Sequence, residues 1–359
     1  MIKNLQYKQL ESEDGIYYLE YQDNYFRINN YTHDLLNRIK DGCEICEISK
    51  DMNVLESEIE EFLKKIYEIL TNKKSQKKIK RISILLNSSI CDRVGKLLSF
   101  LFLNNRMMFL AIITVFTNIF FYLKYSHIQF VFSDITIIHY LFCLMFIMFI
   151  HELGHICAAY SFGLFGLNVK LGVFIIWPIL YVDLNKQVLL QPKKRIKISL
   201  GGVYFQSILS IIVIIVNILV NEDILILLLN INNSVILLNL LPVFILDGYW
   251  VYSDLIGVDN LNTKSADLIK KSLINFREIV DAPLKLSIYA IVRSIFICTI
   301  VVYVLKLIYY RIGFTMDMFY LLLEGINLSL IIRLIWWMLP FILLIIYLKK
   351  RIIWRIFKK

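Results

Sequence analysis

Long apolar runs, separated by short polar stretches, occupy most of the chain from residue 107 onward. A helix needs about 20 residues to cross a hydrocarbon layer of ~30 Å. We expect six membrane-spanning helices, at Met107–Leu123, Ile135–Phe162, Leu200–Val220, Ile224–Tyr249, Leu286–Tyr309 and Asn327–Leu348. Hydrophobic residues make up 58% of the chain, which exceeds the share in soluble globular domains. The pattern therefore predicts an all-α polytopic membrane domain.

The first 72 residues follow a different pattern. In GIYYLEYQDNYFRINN, apolar and polar positions alternate on either side of Asp23-Asn24, which predicts a β-hairpin. Helical spacing follows at Tyr31–Lys40, Glu44–Lys50 and Glu56–Leu70. We therefore expect a small α+β domain over residues 1–72, a basic linker over 73–106, the transmembrane domain over 107–348 and a basic tail over 349–359.

Charge divides the chain in a similar way. Residues 1–70 carry eight Lys and Arg against fifteen Asp and Glu, a net charge of −7, whereas the rest of the chain carries +17. The basic surplus lies in Lys73–Arg106, Lys170–Lys197, Lys264–Lys285 and Lys349–Lys359. The positive-inside rule puts these segments and both termini in the cytoplasm, with the linker along anionic lipid headgroups. The polar start of the chain lacks the apolar core of a signal peptide, so we expect the first domain to stay cytosolic.

The stretch FIHELGHICA, which begins at Phe149, places three ionisable groups inside an apolar run. Such groups cost on the order of 3 kcal/mol each at membrane depth, so by default they mark a functional site. On a helix, His151 and His155 lie on one face with their Cβ atoms about 5–6 Å apart, so both imidazoles can bind one zinc ion. Glu152 is next to them and can act as a general base towards zinc-activated water.

A catalytic zinc usually has three protein ligands and one open position. The stretch NLLPVFILDGYW ends an apolar run with a single carboxylate, Asp247, after Pro242 has interrupted the helix. Asp247 is therefore the best candidate for the third ligand. The alternative is a solvated carboxylate in a Leu-Asp-Gly turn at the end of the helix.

The HExxH motif within one span and NLLPVFILDG on a later span together resemble the site-2 protease class of intramembrane zinc metalloproteases. The resemblance covers about residues 135–255. It implies that His151, His155 and Asp247 bind zinc and that Glu152 is the catalytic base.

The same resemblance implies roles for residues around the metal. Asn239 and Pro242 match the polar residue and the helix break beside the active site, where the asparagine is expected to hold the substrate backbone or the oxyanion. Val169–Leu184 is expected to form a membrane-associated β-hairpin that clamps an extended substrate. The third span departs from the family pattern, because it reads Gly202-Val203 where the resemblance leads us to expect Gly-Pro.

The strand pair and short helices of the first domain resemble the PqqD-like, winged-helix-like domain, which recognises the leaders of ribosomally made, modified peptides. The resemblance rests on DGIYYLEYQDNYFRINNYTHDLLNRIKDG and EIEEFLKKIYEIL. It implies that a leader adds as a strand at a sheet edge, formed by Tyr25, Phe26, Arg27, Ile28 and Asn29. The net charge of −7 argues against nucleic acid as a partner. A domain that only packs against the membrane part is the alternative.

These features predict a zinc metalloendopeptidase of the cell membrane that matures a precursor peptide bound by its N-terminal domain. Two alternatives stay open: a regulatory protease that releases a membrane-tethered factor, and a non-catalytic immunity or export protein with a structural zinc site. The abundance of Ile, Lys and Asn is typical of AT-rich bacterial genomes. Cys43 and Cys46 form a single CxxC pair, which favours free thiols over a second metal site.

Overall fold

The computed structural model describes residues 6–22, 24–71, 79–102, 107, 137–174 and 177–324. These residues are mostly helical and include two three-stranded sheets. They belong to two compact units, Met1–Leu261 and Asn262–Lys359. Except for Met107, the predicted spans Met107–Leu123 and Asn327–Leu348 lie outside the described residues.

The chain begins with an antiparallel sheet that three helices follow. These elements are β1 (Lys8–Glu11), β2 (Tyr17–Tyr21), β3 (Asn24–Ile28), α1 (Asn30–Lys40), α2 (Ile45–Met52) and α3 (Glu56–Thr71). The strand order is β1-β2-β3, and β2 and β3 form the predicted hairpin, in which Tyr21 pairs with Asn24. Helix α1 begins after Asn29 because the side-chain oxygen of that residue accepts the N–H of Thr32 at 2.8 Å. Strand β1 is an addition to the predicted pair.

Apolar side chains hold these elements together as an N-terminal module, residues 6–71. Leu19 of β2, Leu36 of α1 and Leu70 of α3 are buried in one cluster. Ile48 and Ile59 are buried in a second cluster between the helices. The small α+β domain is therefore present, while its likeness to a winged helix stays a prediction.

The segment expected to be a basic linker contains regular structure. Its described part forms β4 (Ile79–Leu86), α4 (Ser88–Leu98) and a 3-10 turn (Ser99–Phe102). Helix α4 begins after Asn87, whose side-chain oxygen accepts the N–H of Ile90 at 3.1 Å. Cys91 and Phe102 are buried in the core of the first unit. Residues 79–102 are thus part of the folded first unit, which corrects the description of the whole segment as a linker.

A second sheet contains the predicted hairpin. Its strands β5 (Val169–Phe174) and β6 (Trp177–Val182) are antiparallel, and β4 pairs with the other side of β5 to give the order β4-β5-β6. Strand β6 is therefore an edge of the sheet. A 3-10 turn at Asn185–Leu189 follows it.

Helices make up the remainder of the described chain. In the first unit they are α5 (Ile137–Ser161), α6 (Pro192–Ser199), α7 (Gly201–Val220), α8 (Asp223–Leu240) and α9 (Asp247–Ile256). In the second unit they are α10 (Leu261–Ile274, which begins at the boundary), α11 (Arg277–Asp281) and α12 (Leu284–Glu324).

Four segments of the described chain are long and apolar enough to cross a membrane: Ile138–Ser161, Pro192–Val220, Asp223–Leu240 and Leu284–Tyr303. They correspond to the second to fifth predicted spans. The fourth prediction, Ile224–Tyr249, is too long, because the helix ends at Leu240. The residue that precedes a proline is driven out of the helical region, and Leu241 before Pro242 is accordingly extended.

Small residues allow two of these helices to approach closely. A Cβ atom at Gly154 of α5 would lie 2.2 Å from the carbonyl oxygen of Gly201 on α7. Only glycine is compatible with this crossing, as in other membrane helix pairs whose backbones touch. Further along the same helix pair, Ile147 of α5 is buried in one apolar cluster with Leu209 and Val213 of α7. The crossing therefore fixes the HExxH segment against the start of α7.

Polar contacts join the N-terminal module to the rest of the first unit. Lys194 Nζ donates to both carboxylate oxygens of Glu13, at 2.7 and 2.8 Å. The backbone N–H groups of Glu13 and Gln191 donate to Leu189 O at 2.9 Å and to Glu13 Oε2 at 3.1 Å. We call this set of contacts the Glu13 junction. It connects the β1–β2 loop to the chain between the Asn185–Leu189 turn and α6.

Candidate metal centre

The two histidines of the HExxH motif face each other in the middle of the first unit. One helical turn separates His151 from His155 on α5, and their rings meet edge to face, with centroids 4.7 Å apart. Their Nε2 atoms are 3.1 Å apart. Both residues are buried, with 9% and 4% of their surface exposed. The helical spacing therefore points two nitrogen atoms at a single position, as predicted.

Asp247 completes the cluster from a different helix. Its Oδ2 atom lies 3.1 Å from His151 Nε2 and 3.5 Å from His155 Nε2. Asp247 is the first residue of α9, which follows the non-helical segment between Leu240 and Asp247. Gly248 makes the return possible, because a Cβ atom there would lie 2.3 Å from Leu240 O. The break at Pro242 and the glycine after the aspartate together bring this carboxylate to the histidines.

The other ring nitrogens determine how the two imidazoles are oriented. His155 Nδ1 lies 2.8 Å from Ile198 O, and His151 Nδ1 lies 2.9 Å from Gln206 Oε1. Both oxygens only accept hydrogen bonds, so each Nδ1 is a donor and each Nε2 is the ring nitrogen that faces Asp247. Asp247 Oδ2 is buried and has no hydrogen-bond partner among the described residues.

His151 Nε2, His155 Nε2 and Asp247 Oδ2 therefore converge on one position. A buried carboxylate beside two imidazole nitrogens is an arrangement that suits a cation bound by all three. These ligand atoms lie within 4.8 Å of one another. The buried cluster of His151, His155 and Asp247 can hold a metal ion, and two imidazoles with a carboxylate are a donor set that metals such as zinc accept.

The start of α7 forms a cradle for the His151 ring. A Cβ atom at Gly202 would lie 2.4 Å from His151 Cε1, so the ring rests directly on the helix backbone. Gln206, one turn later on the same face, accepts the Nδ1 proton. The helix runs through Val203, whose carbonyl oxygen accepts a hydrogen bond from Ser207 at 2.9 Å. The absence of proline at position 203 is therefore compatible with a regular helix at the site.

Glu152 is half-buried and lies one step round α5 from the first ligand. Its Oε2 atom accepts the backbone N–H of Val182 at 2.9 Å. Val182 is the last residue of β6, so the hairpin fixes the orientation of the carboxylate. This contact connects the sheet edge to the residue predicted to be the general base.

The remaining predicted site residues lie in two places. Asn239 belongs to the last turn of α8, and Pro242 lies in the segment that connects α8 to α9. Tyr25, Phe26, Arg27 and Ile28 belong to β3, and Asn29 caps α1.

Strand β3 pairs with β2 and is an edge of its sheet. Its Arg27 is already engaged, because Nη1 contacts Asp259 Oδ2 at 2.5 Å. The Tyr25 hydroxyl donates to Glu20 Oε1 at 3.1 Å. The backbone edge, more than these side chains, is therefore what β3 can offer to a peptide.

Several residues and backbone groups that contact the site could not be identified from a local pattern in the sequence. Gly202, Gln206, Ile198 O and the N–H of Val182 all reach the HExxH helix from other elements. Of these groups, Gln206 could most easily have been predicted from the sequence, because an amide in an apolar run is costly unless it has a hydrogen-bond partner. Cys43 and Cys46 are free thiols, and they belong to no potential metal-binding cluster among the described residues.

Comparison of the chain with protein-family models, with curated proteins and with solved structures finds no match.

Proposed function

We propose that the protein is an intramembrane zinc metallopeptidase of the site-2 protease type. The observation that carries the proposal is the convergence of His151 Nε2, His155 Nε2 and Asp247 Oδ2 on one buried position, with both Nδ1 atoms engaged by other acceptors. Two nitrogen donors and one oxygen donor would hold a zinc ion and would leave one coordination position for water or substrate, as catalytic zinc requires. The two histidines lie on a helix that is apolar enough to cross a membrane, where buried ionisable groups by default mark a functional site.

Glu152 is the proposed general base and general acid. Zinc bound in such a site supplies Lewis-acid polarisation and lowers the pKa of water. Glu152 takes the proton of the water that attacks the peptide carbonyl carbon, and it then delivers that proton to the nitrogen as the C–N bond breaks. The hydrogen bond from Val182 N to Oε2 holds the carboxylate during both transfers.

Strand β6 is the proposed docking edge for the scissile segment. It is an edge strand, and its last residue contacts Glu152. A peptide added to this edge is extended, so its carbonyl groups are accessible, which they are not in a helix. Asn239 is proposed to support the substrate or the oxyanion from the end of α8.

The N-terminal module is proposed to recruit the substrate as a precursor peptide with a leader. Strand β3 is an edge of its sheet and lies beside the Asn185–Leu189 turn, which follows β6. A leader added to β3 would therefore continue towards the edge of β6. The acidic module favours a leader that carries Lys or Arg, and the module and both termini are proposed to be cytoplasmic.

The test is cleavage of a precursor encoded beside this gene, co-expressed with the wild type or with Glu152→Gln and analysed by mass spectrometry. Zinc is measured in both purified proteins, and Asp223→Asn, at the exposed start of α8, is the matched control. We expect cleavage by the wild type and the control, and none by a zinc-loaded Glu152→Gln protein, because only hydrolysis needs the base. Equal processing by Glu152→Gln would reject Glu152 as the base and favour a structural zinc.

A further inference from the structure

The two histidines of the metal centre differ in what fixes them. His155 donates its Nδ1 proton to the backbone oxygen of Ile198, which no substitution can remove. His151 donates to a side chain, Gln206 Oε1, at 2.9 Å. Gln206 is fully buried, with none of its surface exposed. The orientation of one ligand therefore depends on a single replaceable amide.

Helix α8 in turn holds Gln206. Asn232 Nδ2 donates to the backbone oxygen of Gln206 at 2.8 Å and to Ser210 Oγ at 2.9 Å. Ser210 Oγ donates to Asn233 Oδ1 at 3.2 Å. Asn232, Ser210 and Gln206 are all buried, so the bonds run from α8 through α7 to His151 without solvent.

Amides inside a membrane-spanning helix are costly, and a leucine would pack in the same volume without an unsatisfied polar atom. The buried amides of Gln206 and Asn232 therefore need an explanation other than packing. A neutral imidazole has two tautomers, and the wrong one carries its proton on Nε2, where it would exclude a metal ion. The bond to Gln206 Oε1 selects the other tautomer.

We propose that Gln206 is a positioning residue of the metal centre: it holds His151 with the proton on Nδ1 and the Nε2 lone pair towards the metal. Asn232 orients Gln206 by fixing its backbone from α8. The inference rests on the proposed metal site but not on peptide cleavage. It concerns metal affinity and coordination geometry, which are measured without a substrate.

The experiment compares the wild type with Gln206→Leu, Gln206→Glu and the matched control Ser207→Ala. Ser207 is the next buried residue of α7, and within the described part of the chain its hydroxyl bonds only to Val203 O of the same helix. Full-length protein in detergent is loaded with Zn²⁺ or Co²⁺, and the dissociation constant is measured by competition with a chelator. The visible absorption of the Co²⁺ forms reports the coordination geometry.

We expect Gln206→Leu to weaken metal binding about 10- to 100-fold, as removal of a hydrogen-bond partner of a ligating histidine does elsewhere, and to change the Co²⁺ spectrum. Gln206→Glu keeps an acceptor for Nδ1–H, so its affinity stays within about threefold of the wild type or improves. Ser207→Ala binds as the wild type does.

Equal affinity and equal spectra for Gln206→Leu and the wild type would overturn the inference, whatever the result with Glu152→Gln. Loss of binding in Gln206→Leu and Gln206→Glu alike would also overturn it, because it would indicate a packing role. Should Gln206→Leu not fold, the Gln206→Glu protein still decides, since a packing role predicts that a buried carboxylate impairs binding. A wild type that binds neither ion would remove the metal site, and with it this inference and the proposed function.

Discussion

The metal centre and the Glu13 junction are both made of charged and polar side chains, yet they are held in opposite ways. At the centre, the side chains of His151, His155 and Asp247 are 11%, 5% and 17% exposed, and the backbone of α7 at Gly202 lies directly against the His151 ring. At the junction, Glu13 and Lys194 are 35% and 36% exposed, and the nearby Arg27–Asp259 pair is more exposed still.

Solvent exposure decides how much such polar contacts contribute to the free energy of unfolding. Ion pairs at the surface contribute about 0–1 kcal/mol, because water screens them and long side chains lose entropy. Buried polar groups that lose a partner cost several times more. The comparison therefore describes a rigid centre and an N-terminal module that is joined to the first unit by weak polar contacts.

Substitution of the third ligand should give the clearest contrast between the two regions. Asp247→Ala removes one of the three proposed ligands, and we expect it to weaken Zn²⁺ binding at least about 100-fold, more than the loss of a hydrogen-bond partner of a ligating histidine does. Asp259→Asn, which breaks the exposed pair with Arg27, should leave Zn²⁺ binding unchanged. Zinc content after dialysis against a chelator measures both. Zinc retained by Asp247→Ala would exclude this carboxylate as a ligand.

A methyl group added under the ligand should also be harmful. Gly202→Ala places a Cβ atom 2.4 Å from His151 Cε1, so the ring or the helix must move. We expect metal affinity to fall about tenfold or more and stability to fall by about 1–3 kcal/mol, as overpacking does in other cores. The control, Val203→Ala on the same helix, should lower the thermal midpoint but not the affinity. Normal affinity in Gly202→Ala would show that the crossing of α5 and α7 is not rigid.

The parts of the site that could be predicted from the sequence are those with a local signature. His151 and His155 are one turn apart on one helix, and Asp247 is the single carboxylate after a proline that ends a helix. Both patterns can be recognised without knowledge of the tertiary fold. The same holds for the β2–β3 hairpin and for four of the apolar spans.

The remainder depends on contacts between residues that are distant in the sequence. Strand β4 pairs with β5 about 90 residues later, and Gln206 meets His151 across a helix crossing. A basic composition led to the expectation of a linker at β4, although IKRISILL has a short apolar pattern of its own. Hydrophobic content alone also extended the fourth span past Leu240, because it does not include the effect of Pro242 on the preceding residue.

Loss of an ion pair that lies between the metal centre and the Glu13 junction should lower stability by an intermediate amount. Arg195 of α6 donates to Asp254 of α9, with atoms 2.7 Å apart and the side chains 16% and 17% exposed, and α9 also carries Asp247. Burial raises the pKa of Asp254, although the bonds from Arg195 oppose this. Arg195→Met leaves the carboxylate half-buried and unpaired, and we expect a loss of about 2 kcal/mol, below the value for fully buried pairs.

Thermal unfolding followed by tryptophan fluorescence measures this loss. The reverse change, Asp254→Asn, keeps an acceptor for Arg195, whose Nη1 also donates to Leu190 O at 3.2 Å, and should cost less. A larger loss in Asp254→Asn than in Arg195→Met would contradict the view that the unpaired carboxylate is the main cost.

The Glu13 junction should show the smallest effect and a dependence on pH. Hydrogen bonds from Lys194 and from the N–H of Gln191 lower the pKa of Glu13, so the ionised carboxylate is the form that the junction stabilises. The stabilisation is complete at neutral pH and is lost as the pH falls through this lowered pKa, below the ordinary range for a glutamate. Glu13→Gln should speed hydrogen exchange at the amides of Glu13 and Gln191 by a factor of about 1.5 to 5 at neutral pH, the range that corresponds to an exposed ion pair. The neighbouring Asp14→Asn should not. Zinc content should stay unchanged in both variants, because the metal centre is held by buried contacts that do not include the Glu13 junction. A loss of zinc in Glu13→Gln would mean that the N-terminal module helps to hold the metal centre. The two regions would then have to be treated as one.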